Sequence, residues 1–128
     1  MTRIPAGRRS KYNARRTVVD GIAFHSAKEA KRYGELKLLE KAGEIRNFRR
    51  QPVYDLDAPA KYDGEDNTIG QYIADFVYEE RETWLRGQSY ETESWKVVIE
   101  DVKGFKTPLY RWKKKHFEAQ YGIEIRET

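Results

Sequence analysis

Cysteine is absent from the chain, which excludes disulfides, thiolate metal sites and a cysteine nucleophile. Long apolar runs are missing too. Nothing approaches the ~18 residues of a membrane span, and no apolar stretch follows the basic N-terminus as it would in a secretory signal. A cytoplasmic protein without membrane association is therefore expected. Histidine is scarce: His25 and His116 are the only two, and both are read as structural or nucleic-acid-contacting rather than catalytic. Acids are missing from the N-terminal segment, where none precedes Asp20.

Aromatic and charged residues, by contrast, are plentiful. Nine Tyr, five Phe and three Trp can fill a core even though 36% of residues are charged, so the chain as a whole is not read as disordered. At 128 residues one domain is expected. The net charge of +4 hides a segregation of signs. Arg3, Arg8, Arg9, Lys11, Arg15 and Arg16 lead the chain, and Lys103, Lys106, Arg111, Lys113, Lys114 and Lys115 form a second basic block. Acids dominate between Asp55 and Asp101. A basic rim around an acidic middle suits a polyanion gripped by its phosphates, with metal ions at the centre. A solvated tail and an ordinary charged helix face explain the same charges without a ligand.

Residues 1–16 lack apolar periodicity and read as a flexible basic arm, leaving residues 17–128 as the folded domain. In TVVDGIAF, Asp20-Gly21 between short apolar runs signals a hairpin. Ser26 followed by Glu29 fits a capping box, and Gly43 stands where a helix would end. The core stripe expected between them is Ala30, Tyr33, Gly34, Leu38 and Leu39. Residues 44–56 read as one bent or edge strand interrupted at Pro52, and residues 57–70 as a loop. Residues 71–78 read as one strand, with Tyr72, Ala74, Phe76 and Tyr78 on one face and Ile73, Asp75 and Val77 on the other. A polar connection over residues 79–94 leads to a strand over 95–102, where Val97, Ile99 and Asp101 share a face and Glu100 points away. Thr107-Pro108 caps a second helix that ends at Gly122, and Ile123-Glu124-Ile125 forms a last short strand. The element order is αβββαβ preceded by a hairpin, an α/β architecture with a mixed central sheet flanked by helices.

The chemistry lies in two strands that each carry a carboxylate on an otherwise apolar face, Asp75 and Asp101. Side by side at strand ends, two such acids would raise a pKa or recruit a divalent cation, and oxygen-only ligands favour Mg²⁺ or Mn²⁺. Lys103, two residues beyond Asp101 on the same face, would orient a water or balance charge on a phosphate. An Asp near a strand end is ordinarily a turn or cap residue or half of an ion pair. Two of them with a lysine point instead to metal-assisted phosphodiester hydrolysis. Glu29 is accounted for by its capping box, yet its place on the first helical turn also lets it reach a metal at the strand ends.

Glu29, then YIADF ending in Asp75 and Phe76, then Asp101-Val102-Lys103-Gly104 resembles the PD-(D/E)XK nuclease superfamily, with Ala74 where that signature has proline. SAKEAKRYGELKLLEKAGEI, YIADFVY and VIEDVKG are similar to small phage and prophage proteins of the phage endonuclease I type of Holliday-junction resolvase, over roughly residues 10–125. The resemblance implies a restriction-endonuclease-like core and catalysis by Glu29, Asp75, Asp101 and Lys103. It implies metal ligation by Asp75, Asp101, Glu29 and the Val102 carbonyl, with Glu35 as a second candidate for the helix carboxylate. The implied partner is branched or junction DNA, met by a homodimer in the host cytoplasm without a nucleotide cofactor. Arg8, Arg9, Lys11, Arg15, Arg16, Lys106, Lys113, Lys114 and Lys115 would grip phosphates without reading sequence. The alternatives are a non-specific or nicking nuclease of the same fold, a non-catalytic DNA-binding recombination accessory protein, and a structural virion protein.

Overall fold

The computed structural model describes residues 16–58, 67–82 and 94–128. Strands β1 (Thr17–Val19) and β2 (Ile22–Phe24) pair antiparallel around Asp20 and Gly21. Both turn residues have positive φ, 52° and 74°, as the expected hairpin requires. Helix α1 (Ala27–Lys41) starts where Ser26 accepts from the Glu29 amide at 3.1 Å and is followed by Gly43 at φ 79°. Its buried residues are Glu29, Ala30, Tyr33 and Leu36. The expected stripe is corrected here: Leu38 is exposed, because two residues beyond Leu36 lie about 200° around the helix.

Two strands expected as single pieces are each divided. Residues 44–56 form β3 (Ile45–Arg50) and β4 (Val53–Asp57), and residues 71–78 are split between β5 (Thr68–Ile73) and β6 (Phe76–Glu82). The hairpin β4–β5 is a separate two-stranded sheet that takes up part of the expected 57–70 loop. β3 and β6 join β7 (Ser94–Asp101) and β8 (Ile125–Glu127) in a four-stranded sheet of order β3-β6-β7-β8. Its first two pairings are antiparallel and β7–β8 is parallel, reached through helix α2 (Pro108–Tyr121).

The physical cause of the division lies in two breaks at the same level. Gln51 has φ 49° and Pro52 offers no N–H to continue the ladder. Opposite them, the Gln51 amide donates to the Asp75 carbonyl at 2.9 Å and the Ala74 amide to the Pro52 carbonyl at 3.3 Å. Both strands therefore pass from one sheet to the other together. The period-two reading fails across the break: Tyr72, Ala74 and Val77 join the cluster around α2, Phe76 and Tyr78 join the cluster under α1, and Ile73 is exposed.

The sheet is sandwiched. Under α1 lie Phe24, Tyr33, Leu36, Phe76, Tyr78 and Val98; under α2 lie Leu56, Tyr72, Val77, Ile99, Phe117 and Ile125. Full burial of one such side chain contributes roughly 1.5–3 kcal/mol. The expected face of β7 needs correction at Val97, which is exposed, whereas Ile99 and Asp101 are buried together. The chain between strands begins later than expected, since residues 79–82 belong to β6, and residues 83–93 lie outside the described residues. The last strand is shifted to Ile125–Glu127. α2 has its expected caps, Thr107 and Gly122 at φ 68°. With the two hairpins set aside, α1, β3, β6, β7, α2 and β8 follow one another as αβββαβ in a mixed α/β fold. No described helix is long and apolar enough to cross a membrane.

Candidate active site

The paired breaks determine where the acids meet. β6 begins at Phe76, opposite Glu100, so β7 runs one residue past its partner before ending at Asp101. Asp75 occupies the gap so created. Its amide donates to Asp101 Oδ1 at 3.1 Å, and its own Oδ2 accepts from the Val102 amide at 2.8 Å. Asp101 is almost wholly buried, and its Oδ2 accepts from the Tyr72 hydroxyl. β8 braces the strand end: the Thr128 amide donates to the Asp101 carbonyl at 2.9 Å, and the Lys103 amide to the Thr128 carbonyl at 3.0 Å.

Lys103 carries its ammonium 4.0 Å from Asp101 Oδ1 and 4.2 Å from the centroid of the Tyr110 ring. An aromatic face and a carboxylate together hold a cation in place without neutralising it fully. Glu29 approaches from the first turn of α1. Ser26 accepts from its amide, but the return bond from the Ser26 amide to the Glu29 carboxylate, the other half of a capping box, is not made. The carboxylate is instead buried within electrostatic range of Asp75, Asp101 and Lys103.

Burial governs how these acids ionise. It lifts the Asp75 carboxyl to about 7; the Val102 N–H opposes the rise, Asp101 and Glu29 add to it, and Lys103 opposes. It also raises Glu29, against the pull of His25 and Arg50, with Asp101 reinforcing the rise and Lys103 opposing it. Like charges compressed in a poorly solvated gap are the condition a divalent cation relieves. Among the described residues no three His, Asp or Glu side chains already stand as a metal cage. Both Asp101 oxygens are engaged by protein donors, although each retains a second lone pair. If a metal were held here, Asp75, Asp101, Glu29 and the carbonyl of Val102, the residue after β7, would offer it oxygen donors only, the chemistry that suits a hard ion such as Mg²⁺ or Mn²⁺.

The structure therefore brings together Glu29, Asp75, Asp101 and Lys103. Glu35 is elsewhere, half-exposed and paired with Arg32 at 3.1 Å. Glu100 does point away from Asp101, as expected, and is fully buried in a fork–fork pair with Arg32, with bonds of 2.7 and 2.9 Å. Tyr78 and Thr128 also donate to it, at 2.6 and 3.2 Å. Tyr72 and Arg50 were not legible as site residues. Tyr72 reaches Asp101 only because the strand breaks between them. Arg50, over the Phe24 ring at 4.8 Å, keeps a buried Nε that meets no acceptor among the described residues.

The basic residues divide. Lys106 and Lys114, expected to hold phosphates, are each ion-paired with Glu127, at 3.2 and 2.8 Å, so part of their charge is balanced within the protein. Lys113 and Lys115 have no ion pair among the described residues, and Arg16 is exposed at the start of β1. Arg8, Arg9, Lys11 and Arg15 lie outside the described residues.

No curated protein and no solved structure matches the chain. A family model does, over residues 9–128, with the description "Protein of unknown function (DUF1064)". That match spans nearly the whole sequence, and the chain belongs to the DUF1064 family.

Proposed function

We propose that this protein is a metal-dependent, structure-specific DNA endonuclease of restriction-endonuclease-like fold, acting on branched DNA such as a four-way junction. One observation carries the reading. Asp101, buried, and Asp75, half-buried, meet at adjacent strand ends, where the Asp75 amide donates to the Asp101 carboxylate, with the Lys103 ammonium 4.0 Å from Asp101 and the Glu29 carboxylate within electrostatic range. A merely structural pair of acids does not need a third acid within electrostatic range and an ammonium beside it. The αβββαβ order and the resemblance of the three motifs point the same way.

Asp75, Asp101, Glu29 and the Val102 carbonyl would hold Mg²⁺ or Mn²⁺, which supplies charge stabilisation to the phosphate and a more acidic water. The chain's own residues do the rest. The Tyr72 hydroxyl and the Asp75 amide fix the Asp101 carboxylate, and the Val102 amide fixes that of Asp75. Lys103, steadied by the Tyr110 ring, offers its ammonium to the negative charge that develops on the phosphate oxygens. Lys113, Lys115, Arg16 and the arm hold flanking phosphates, and two copies of the chain as a homodimer would cut two strands. This fits a role in phage or prophage recombination or in clearing branched DNA.

A second reading, a non-catalytic DNA-binding relative, is favoured by the engagement of both Asp101 oxygens with protein donors. A panel of labelled four-way junction, flap and linear duplex, incubated with Mg²⁺ or Mn²⁺, separates the two. The nuclease cuts the branched substrates, a nicking enzyme cuts duplex equally, and the accessory protein binds without cutting.

A further inference from the structure

Beside the acids, between β5 and the first turns of α2, runs a groove of about 550 Å³. Its floor includes the buried Tyr72 and Tyr110, its apolar walls are the largely exposed Ile73 and Leu109, and its cations are Lys103 and Lys113. The two cations differ from their neighbours. Lys106 and Lys114 are held by Glu127, whereas among the described residues Lys113 meets no carboxylate and Lys103 meets only Asp101. Apolar side chains left in water next to two available ammonium groups complement a ligand that is flat and apolar at one end and anionic at the other. A nucleotide has that form, but a base stacked within duplex DNA does not present its face.

We infer that this groove takes one unpaired nucleotide next to the phosphate to be cut, its base against Ile73 and Leu109 and its phosphates at Lys103 and Lys113. The inference rests on the nuclease reading and deepens it. Branch points supply an unstacked nucleotide and continuous duplex does not, so the groove beside the acids would itself discriminate between them. Gly70 gives a way to block it. Gly70 lines the groove, a Cβ built there meets nothing within 4 Å, and its backbone is outside the left-handed region. The first carbon of a side chain at this groove-lining position therefore has room, and a larger residue would take up space at the groove.

The test is fluorescence anisotropy in EDTA, comparing a labelled fork with unpaired arms against a matched duplex. Wild type, Gly70→Leu and Leu109→Ala are measured, the last at a largely exposed position where truncation spares the core. Wild type is expected to prefer the fork by about fivefold or more, the worth of one bound base, with both variants losing most of that ratio. No preference in the wild type, or a preference kept in both variants, overturns the inference. Cutting in Mg²⁺ is scored separately. A wild type that cuts branched DNA while both variants keep their preference sinks the groove alone. A preference that the variants lose, in a protein that never cuts, supports the groove and sinks the nuclease reading.

Discussion

Asp75→Asn isolates the charge that the site holds under strain. In the folded chain burial raises the Asp75 carboxyl from 3.8 to about 7, with its neighbours' charges acting after it. At about 1.4 kcal/mol for each pH unit between those values, ionising Asp75 in the folded state costs roughly 4 kcal/mol more than in the unfolded state. The folded pKa lies above the unfolded one. The stabilisation is therefore complete below about pH 4, is lost as pH rises through about 7, and then levels off. Roughly 2–3 kcal/mol of that loss falls between pH 5 and pH 8, which for a domain of this size is on the order of 10 °C in Tm. Asn keeps an oxygen for the Val102 amide and carries no charge. Thermal melts in EDTA at the two pH values should thus show a steep fall for wild type and a flatter one for Asp75→Asn. Adding Mn²⁺ at pH 8 should restore the wild type and leave the variant unmoved. Parallel pH profiles, or equal stabilisation of both proteins by Mn²⁺, would refute the reasoning.

Arg32→Met strands the buried Glu100 carboxylate and should cost about 3–5 kcal/mol in urea unfolding, while the double variant Arg32→Met/Glu100→Met recovers most of it. Equal losses in the single and double variants would contradict the assignment. Tyr72→Phe removes the donor to buried Asp101 Oδ2 and should cost about 1–3 kcal/mol by the same assay. An unchanged midpoint would show that the hydroxyl is not holding that oxygen. Glu127→Gln releases Lys106 and Lys114, so DNA affinity should rise and the slope of log K against log salt should steepen by about 1–2. A salt titration with the wild-type slope would mean that those lysines do not face the DNA.

What could be read from the sequence was local. The Asp20-Gly21 turn, the Ser26 and Thr107 caps and the closing Gly43 and Gly122 are fixed by residues within a few positions of one another, and they stand where expected. Asp101 was conspicuous because strand-forming residues lead straight into it. The break at Ala74-Asp75 carries no such signal. Pro52 marked an interruption in one strand, but its counterpart in the other strand is set by pairing across more than twenty positions of sequence. That break brings Tyr72 to Asp101 and puts Ile73 in water, which no alternation rule reveals. Glu29 had two readings because Ser-x-x-Glu serves a cap and a ligand equally. Only the missing return bond to Ser26 separates them. The lysines of α2 look alike in sequence, and their division depends on Glu127, which the parallel β7–β8 pairing carries to the site end of the sheet.

Asp101 is proposed to belong to a site that cuts DNA with a divalent metal. The direct measurement is the rate at which a labelled four-way junction is cleaved in Mg²⁺, beside a duplex of matched sequence, by wild type and by Asp101→Asn, with folding of both checked by circular dichroism. The wild type should cleave the junction, and the duplex more weakly, and the folded variant should lose about a hundredfold or more of that rate. Equal rates for the two proteins, or an intact junction with the wild type in both Mg²⁺ and Mn²⁺, would contradict the proposal.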